Sequence, residues 1–127
     1  MQEYMLLIRN QDDKNAGMST ESHKAFVLEC ETYIKELKKE KKLIAAQPLM
    51  REGIILSSTR KGWVEEPFMM GREIQVGYYH VYAEDFEDAV AIAKRNPEFI
   101  YSSGARIEVR PVKMKEAATG FVYPKGA

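Results

Sequence analysis

Two stretches of this chain each place a helix between strand-like segments, and that order limits the possible folds. In the first stretch, an apolar run at Tyr4–Arg9 precedes an amphipathic helix that begins after the N-cap candidate Ser19. In the second, the strand-like segment Gln75–Tyr82 precedes a helix capped by Asp85, and the alternating segment Ala105–Val112 follows. Two β-α-β units of this length predict an α+β domain.

One strand-like segment, Leu43–Leu49, closes the first unit, and two more lie between the units. The apolar run Leu43–Leu49 contains Pro48, which favours a sheet edge. Ile54–Thr59 and Trp63–Glu65 flank the turn Arg60–Gly62 and predict a hairpin. The whole order matches the ferredoxin-like split βαβ plan with an extra hairpin. We therefore predict a domain over residues 1–112 whose antiparallel sheet carries both helices on one face, followed by a C-terminal tail at residues 113–127.

The period of two along a strand divides the strand residues between two faces of the sheet. We assign Tyr4, Leu6, Ile8, Tyr79, Val81, Ile107 and Val109 to the face that the helices cover. The open face then carries an aromatic and charged centre beside Met5 and Leu7. A monomer rarely exposes such a set, so we predict a homodimer with a small-molecule pocket between the two sheets. The polar members of the open face are Arg9, Tyr78, His80, Tyr82, Arg106, Glu108 and Arg110.

Composition excludes several classes of protein. Lys+Arg and Asp+Glu are both 19, and this balance argues against nucleic-acid binding. A single cysteine, Cys30, indicates a reducing, cytoplasmic setting, and neither a secretory signal nor a membrane span is evident. With two histidines and one cysteine, we expect no His/Cys metal cluster, and no phosphate-loop motif predicts a cofactor.

Several short motifs together resemble the YCII-related, or DGPF-domain, family over roughly residues 3 to 112. The closing Glu-Val-Arg-Pro is the most specific of them, and the opening Tyr-Met-Leu-Leu-Ile also fits. The motifs are Glu65-Glu66-Pro67-Phe68, Arg72-Glu73, Gly77-Tyr78-Tyr79, Glu87-Asp88-Ala89, Pro97 after the helix, and Gly104 to Pro111.

The resemblance implies a ferredoxin-like fold that dimerises as an α+β barrel. It implies no single function, since some members look like small-molecule enzymes, including dehalogenating ones, and others accompany sigma factors. His23 is an approximate match to a suspected catalytic histidine of the family. The sequence departs from the family at its namesake motif, where Asp-Gly is Glu65-Glu66, and at His80, which replaces an aliphatic residue.

The open face offers groups for acid–base chemistry. His80 is the strongest candidate for proton transfer, oriented by Glu108, while Glu65 is a second candidate. Tyr78 and Tyr82 can donate hydrogen bonds to a ligand oxygen.

Arg106 or Arg110 can hold a carboxylate, so the expected ligand is a small aromatic or carboxylated metabolite. The alternative is that these charges form an interface ion-pair network. In that case the protein is a non-catalytic dimeric regulatory or interaction protein. The sequence does not decide between the two alternatives, so whether the protein is an enzyme stays open.

Overall fold

A computed structural model describes residues 1–11, 18–68 and 72–124. The chain forms six strands and three helices within these ranges. In chain order they are β1 (Gln2–Gln11), α1 (Thr20–Lys39), β2 (Leu43–Pro48), β3 (Ile54–Thr59), β4 (Gly62–Pro67), β5 (Glu73–Ala83), α2 (Phe86–Lys94), α3 (Glu98–Tyr101) and β6 (Arg106–Pro111).

The main sheet has four antiparallel strands in the order β2-β5-β1-β6. Its helix-covered face forms the core, which confirms the division of the strand residues by period two. From the strands, Tyr4, Leu6, Ile8, Tyr79 and Val81 are buried in one cluster with residues of both long helices, and Ile107 and Val109 pack against it. The predicted α+β class, with an antiparallel sheet and helices on one of its faces, is therefore confirmed.

Both predicted N-caps are present. The Ser19 hydroxyl accepts a hydrogen bond from the Ser22 amide, and the Asp85 carboxylate accepts one from the Asp88 amide. Each satisfies a backbone donor that the helix itself leaves free. The short helix α3 is an addition to the prediction, because Asn96 and Pro97 end α2 but start another turn rather than a loop.

A bulge in β5 changes which residues of that strand face the core. Ile8 pairs with Gly77 while Arg9 pairs with Gln75, so Val76 is the extra residue. Val76 packs against the core, and Gln75 moves to the open face. Glycine at position 77 lets β2 and β5 approach closely here, because a Cβ would lie a tight 3.0 Å from the Gln47 carbonyl oxygen of β2.

The predicted hairpin is present as a separate two-stranded sheet, β3–β4, whose residues are all exposed. The cross-strand pairs place Ile54, Leu56 and Trp63 on one face of it. Trp63 is 74% exposed. The hairpin therefore adds nothing to the main core, and it exposes three large apolar side chains on a face that also carries Glu65.

Residues 113–127, the segment predicted as a C-terminal tail, follow β6, and the last of them, 125–127, lie outside the described part of the chain. Lys115 and Val122 form an isolated bridge, and the Phe121 and Tyr123 rings meet edge to face. Both rings are exposed.

Candidate functional site

The open face of the main sheet contains a recess of about 430 Å³. Its floor comes from alternate residues of β1 and β5, because side chains at every second position point to the same face. The register places Met5 opposite His80 and Leu7 opposite Tyr78, while Ala45 of β2 flanks His80 from the other side. This sheet-face recess is lined by Met5, Leu7, Ile44, Ala45, Gln75, Tyr78 and His80.

A buried carboxylate lies beside the recess. Glu3 Oε1 is 2.8 Å from His80 Nε2, and the two side chains are 7% and 21% exposed. The two groups approach closely without the geometry of a well-directed hydrogen bond, and His80 Nε2 is shielded from solvent. A carboxylate so close to an imidazole can fix its orientation and share a proton with it. The pair is therefore the group on this face best placed for acid–base chemistry.

Glu3, and not Glu108, is the carboxylate beside His80. Glu108 pairs with Leu7 across β1 and β6, and its ion-pair partner is Arg110, with Oε2 and Nη1 3.6 Å apart. Because β1 lies between β5 and β6, backbones at these positions are separated by about 10 Å. The expectation that Glu108 orients His80 is therefore wrong.

The arginines of the open face hold carboxylates of their own chain. Arg9 and Arg106 face each other across β1 and β6, where two positive charges repel. Glu73 bridges them, with one oxygen 3.1 Å from Arg9 Nε and the other 3.0 Å from Arg106 Nη1. A carboxylate ligand at this position has to compete with Glu73.

The other predicted site residues lie in three different places. Tyr78 lines the recess, and Tyr82 lies opposite Glu3 at its end of the sheet. Glu65 is in the exposed hairpin, opposite Leu56, and has no ion-pair partner within the described ranges. His23 lies on α1 and lines a cavity on the helix side of the sheet, so the structure does not bring His23 and His80 together within one chain.

Two functional candidates escaped the sequence analysis. Glu3 was missed because the first strand was predicted to begin at Tyr4, whereas β1 begins at Gln2. Extending the alternation of Met5 and Leu7 backward by one step places Glu3 on the open face, so the signal was present. Glu73 was recognised as a charge in a motif, but its bridge between two arginines depends on strand register, which no local pattern specifies.

The protonation of two groups on the helix side, the half-buried Cys30 and the buried Tyr33, follows from their surroundings. Burial raises the pKa of the Cys30 thiol to about 11, and the carboxylates of Glu98 and Glu29 act in the same direction. Burial also raises the pKa of the Tyr33 hydroxyl, which donates a 2.6 Å hydrogen bond to the Ile92 carbonyl oxygen. Both groups stay neutral at physiological pH.

Over the described ranges, no three His, Cys, Asp or Glu side chains are grouped so that they could hold a metal ion. None of the helices described is both long and apolar enough to cross a membrane. A scan against protein-family models found no match for this chain, and a search of curated proteins found no relative.

Proposed function

We propose that this protein is a ferredoxin-like, YCII-related homodimer that binds a small aromatic or carboxylated molecule in the sheet-face recess and moves a proton through Glu3 and His80. One observation carries the proposal: a buried carboxylate lies 2.8 Å from an imidazole nitrogen beside an apolar recess. A largely apolar recess with a few convergent polar groups is the common form of a small-molecule site. The single cysteine supports a cytoplasmic location.

The sheet order supports the fold and the dimer. The order β2-β5-β1-β6, with the two long helices on one face, is the arrangement expected of a split βαβ sheet with a hairpin inserted after β2. On the opposite face, none of the helices in the described part of the chain covers the sheet. A second copy placed sheet against sheet closes the recess and excludes water from Glu3 and His80, which strengthens their electrostatic interaction.

Binding is tested with benzoate and phenol, the simplest molecules of the proposed class. A ¹H–¹⁵N NMR titration should shift the resonances of Tyr78 and His80 and leave those of α1 unchanged. Leu7→Arg, which fills the recess with a charged chain, should abolish the shifts. Leu28→Arg is the matched control, because Leu28 is exposed on α1. Shifts confined to residues outside the recess, or none at millimolar probe, would reject the site.

The acid–base part is tested separately. For a substrate that the protein turns over, Glu3→Gln and His80→Gln should each lower kcat, and the double variant should lose little more than either single variant, because the two act as one unit. Unchanged turnover in His80→Gln would reject proton transfer and leave binding intact.

A second function is favoured by the hairpin. One of its faces exposes Ile54, Leu56 and Trp63 around Glu65, and a group of exposed large apolar side chains is typical of a surface that meets another protein. Together with the ion pairs that occupy Arg9, Arg106 and Arg110, it supports a non-catalytic dimeric regulatory or interaction protein. Failure of both probes to bind, in a protein that is dimeric in solution, would favour this alternative.

A further inference from the structure

A second cavity, of about 450 Å³, lies on the opposite side of the sheet from the recess. It separates α1 from the sheet near the β2 edge, and we call it the helix-side cavity. Its apolar walls come from Phe26 and Ile34 of α1 and from Ile8 and Val76 of the sheet. Its volume lies within the roughly 300–1,000 Å³ of pockets that hold small organic ligands.

One wall of the helix-side cavity carries a buried polar donor. Asn96 is 2% exposed, and among the residues that the structure describes its Nδ2 atom has no hydrogen-bond partner. The orientation of the amide is not arbitrary, because the Glu98 backbone amide donates to Asn96 Oδ1 at 2.8 Å. A backbone N–H can only donate, so the side-chain atom that it contacts must be the acceptor Oδ1. The other atom, Nδ2, is therefore the donor without a partner. A buried donor without a partner costs about 1–3 kcal/mol.

A network of hydrogen bonds holds this wall in place. Asn10 Nδ2 donates to Glu98 Oε1 at 3.0 Å, and the Ser102 hydroxyl donates to Asn10 Oδ1 at 3.1 Å. These three residues are buried and join β1 to α3. Asn96 is therefore held before any ligand arrives, which reduces the entropy cost of binding.

The charged residues around the helix-side cavity limit the charge of the ligand. Glu31 and Glu98 line it together with a single arginine, Arg51, and His23. This set carries no excess of positive charge, so it does not favour an anion. The apolar walls favour a flat hydrocarbon body, and Asn96 Nδ2 needs an acceptor. These two requirements meet in a neutral aromatic compound with a carbonyl oxygen.

We propose that the helix-side cavity is a second ligand site, which binds a neutral aromatic carbonyl compound with its carbonyl oxygen on Asn96 Nδ2. The site is distinct from the sheet-face recess, because the sheet lies between them, and it needs only one chain. It also differs in ligand chemistry, since Glu3 and His80 lie at the recess, whereas the helix-side cavity presents the Asn96 amide beside its apolar walls.

The test compares benzophenone with diphenylmethane, which has the same two rings and no carbonyl. Both are titrated into the full chain and followed by ¹H–¹⁵N NMR, including the Asn96 side-chain amide. Benzophenone should bind about tenfold more tightly, the difference expected when a buried donor gains its acceptor. Equal affinity of the two compounds, or no binding of either, would overturn the proposal without any variant.

A variant then isolates the donor. Asn96→Asp keeps the acceptor for the Glu98 amide and removes Nδ2, so the preference for benzophenone should fall to within about twofold. Lys35→Gln, on the exposed side of α1, is the control because it changes net charge by the same amount. A preference that persists in Asn96→Asp contradicts the assignment.

Benzophenone also reports its own position, because irradiation couples it to nearby C–H bonds. Peptide mapping should find the adduct on α1, β2 or the start of β5 within the helix-side cavity. Adducts on Met5 or Leu7 would instead place the probe in the sheet-face recess and overturn the second site. This readout does not depend on how well Asn96→Asp folds.

Discussion

Glu3 on β1 holds a buried carboxylate oxygen 2.8 Å from the Nε2 atom of His80 on β5. The two residues are not directly opposite each other, since Glu3 pairs with Tyr82 and His80 with Met5. Their side chains meet diagonally across neighbouring strands on the open face. This contact lies where a second copy of the chain is proposed to dock.

The Glu3–His80 contact should be energetically coupled. In a double-mutant cycle with Glu3→Gln and His80→Gln, urea unfolding at pH 6 should give a coupling of about 1–3 kcal/mol, because little solvent screens the pair. The control cycle is Glu40 with Arg95, a pair at a similar 3.1 Å whose side chains are 39% and 42% exposed. Its coupling should stay below about 1 kcal/mol. Similar values in the two cycles would show that burial adds nothing at Glu3.

The oligomeric state should depend on the open face. Leu7→Arg places a charge in the centre of the sheet-face recess, and the cost of burying it should convert the proposed dimer to a monomer. Light scattering coupled to gel filtration measures the mass directly. The control Leu28→Arg makes the same change on exposed α1 and should leave the mass unchanged. A wild-type monomer at micromolar concentration would dispose of the dimer altogether.

Stability at acid pH should depend on Asp88. Its carboxylate accepts hydrogen bonds from the Glu84 amide at 2.9 Å and from Lys42 Nζ at 3.2 Å, and these contacts lower the pKa of Asp88 in the folded protein. Because the folded pKa lies below the unfolded one, the stabilisation is present above the unfolded value. It is lost as pH falls through the folded value.

Asp88→Asn should therefore reduce the free energy of unfolding by about 1–2 kcal/mol at pH 7. The difference in the free energy of unfolding between the variant and the wild type should shrink as the pH falls below about 4. Urea unfolding monitored by circular dichroism from pH 7 to pH 3 measures both. A gap that stays constant over this range would show that the charge of Asp88 is not the source of its effect.

Cys30 should be a slow nucleophile. With its pKa raised to about 11, the thiolate fraction at pH 8 is roughly two hundred times smaller than that of a free thiol of pKa about 8.5. Alkylation by iodoacetamide, followed by mass spectrometry, should be slower by at least tenfold than for the urea-unfolded chain. The alkylation rate of the folded protein should also rise tenfold per pH unit between pH 7 and pH 9. A rate independent of pH over that range would mean that the thiolate is already formed.

The strand residues show what a local pattern determines. Tyr4, Leu6, Ile8, Tyr79 and Val81 were assigned to the core from period two alone, because alternate side chains of a strand point to opposite faces whatever the strand pairs with. The N-caps Ser19 and Asp85 were predictable for a similar reason, since capping involves residues three apart along the chain. The bulge at Val76 escaped, because it exists only relative to β1.

The sequence by itself determined the order of the strands and of the two long helices, the faces of β1, of β6 and of β5 beyond its bulge, and most of the charged and aromatic residues on the open face. The tertiary structure decided which of those residues meet. It paired His80 with Glu3 rather than Glu108, because β1 lies between β5 and β6, and it joined Arg9 to Arg106 through Glu73. It also brought Asn96 to the wall of a cavity bounded by β1 and α1, which are distant from it in the chain. Contacts of this kind depend on strand order and register, which are set by packing of the whole domain and not by any one segment.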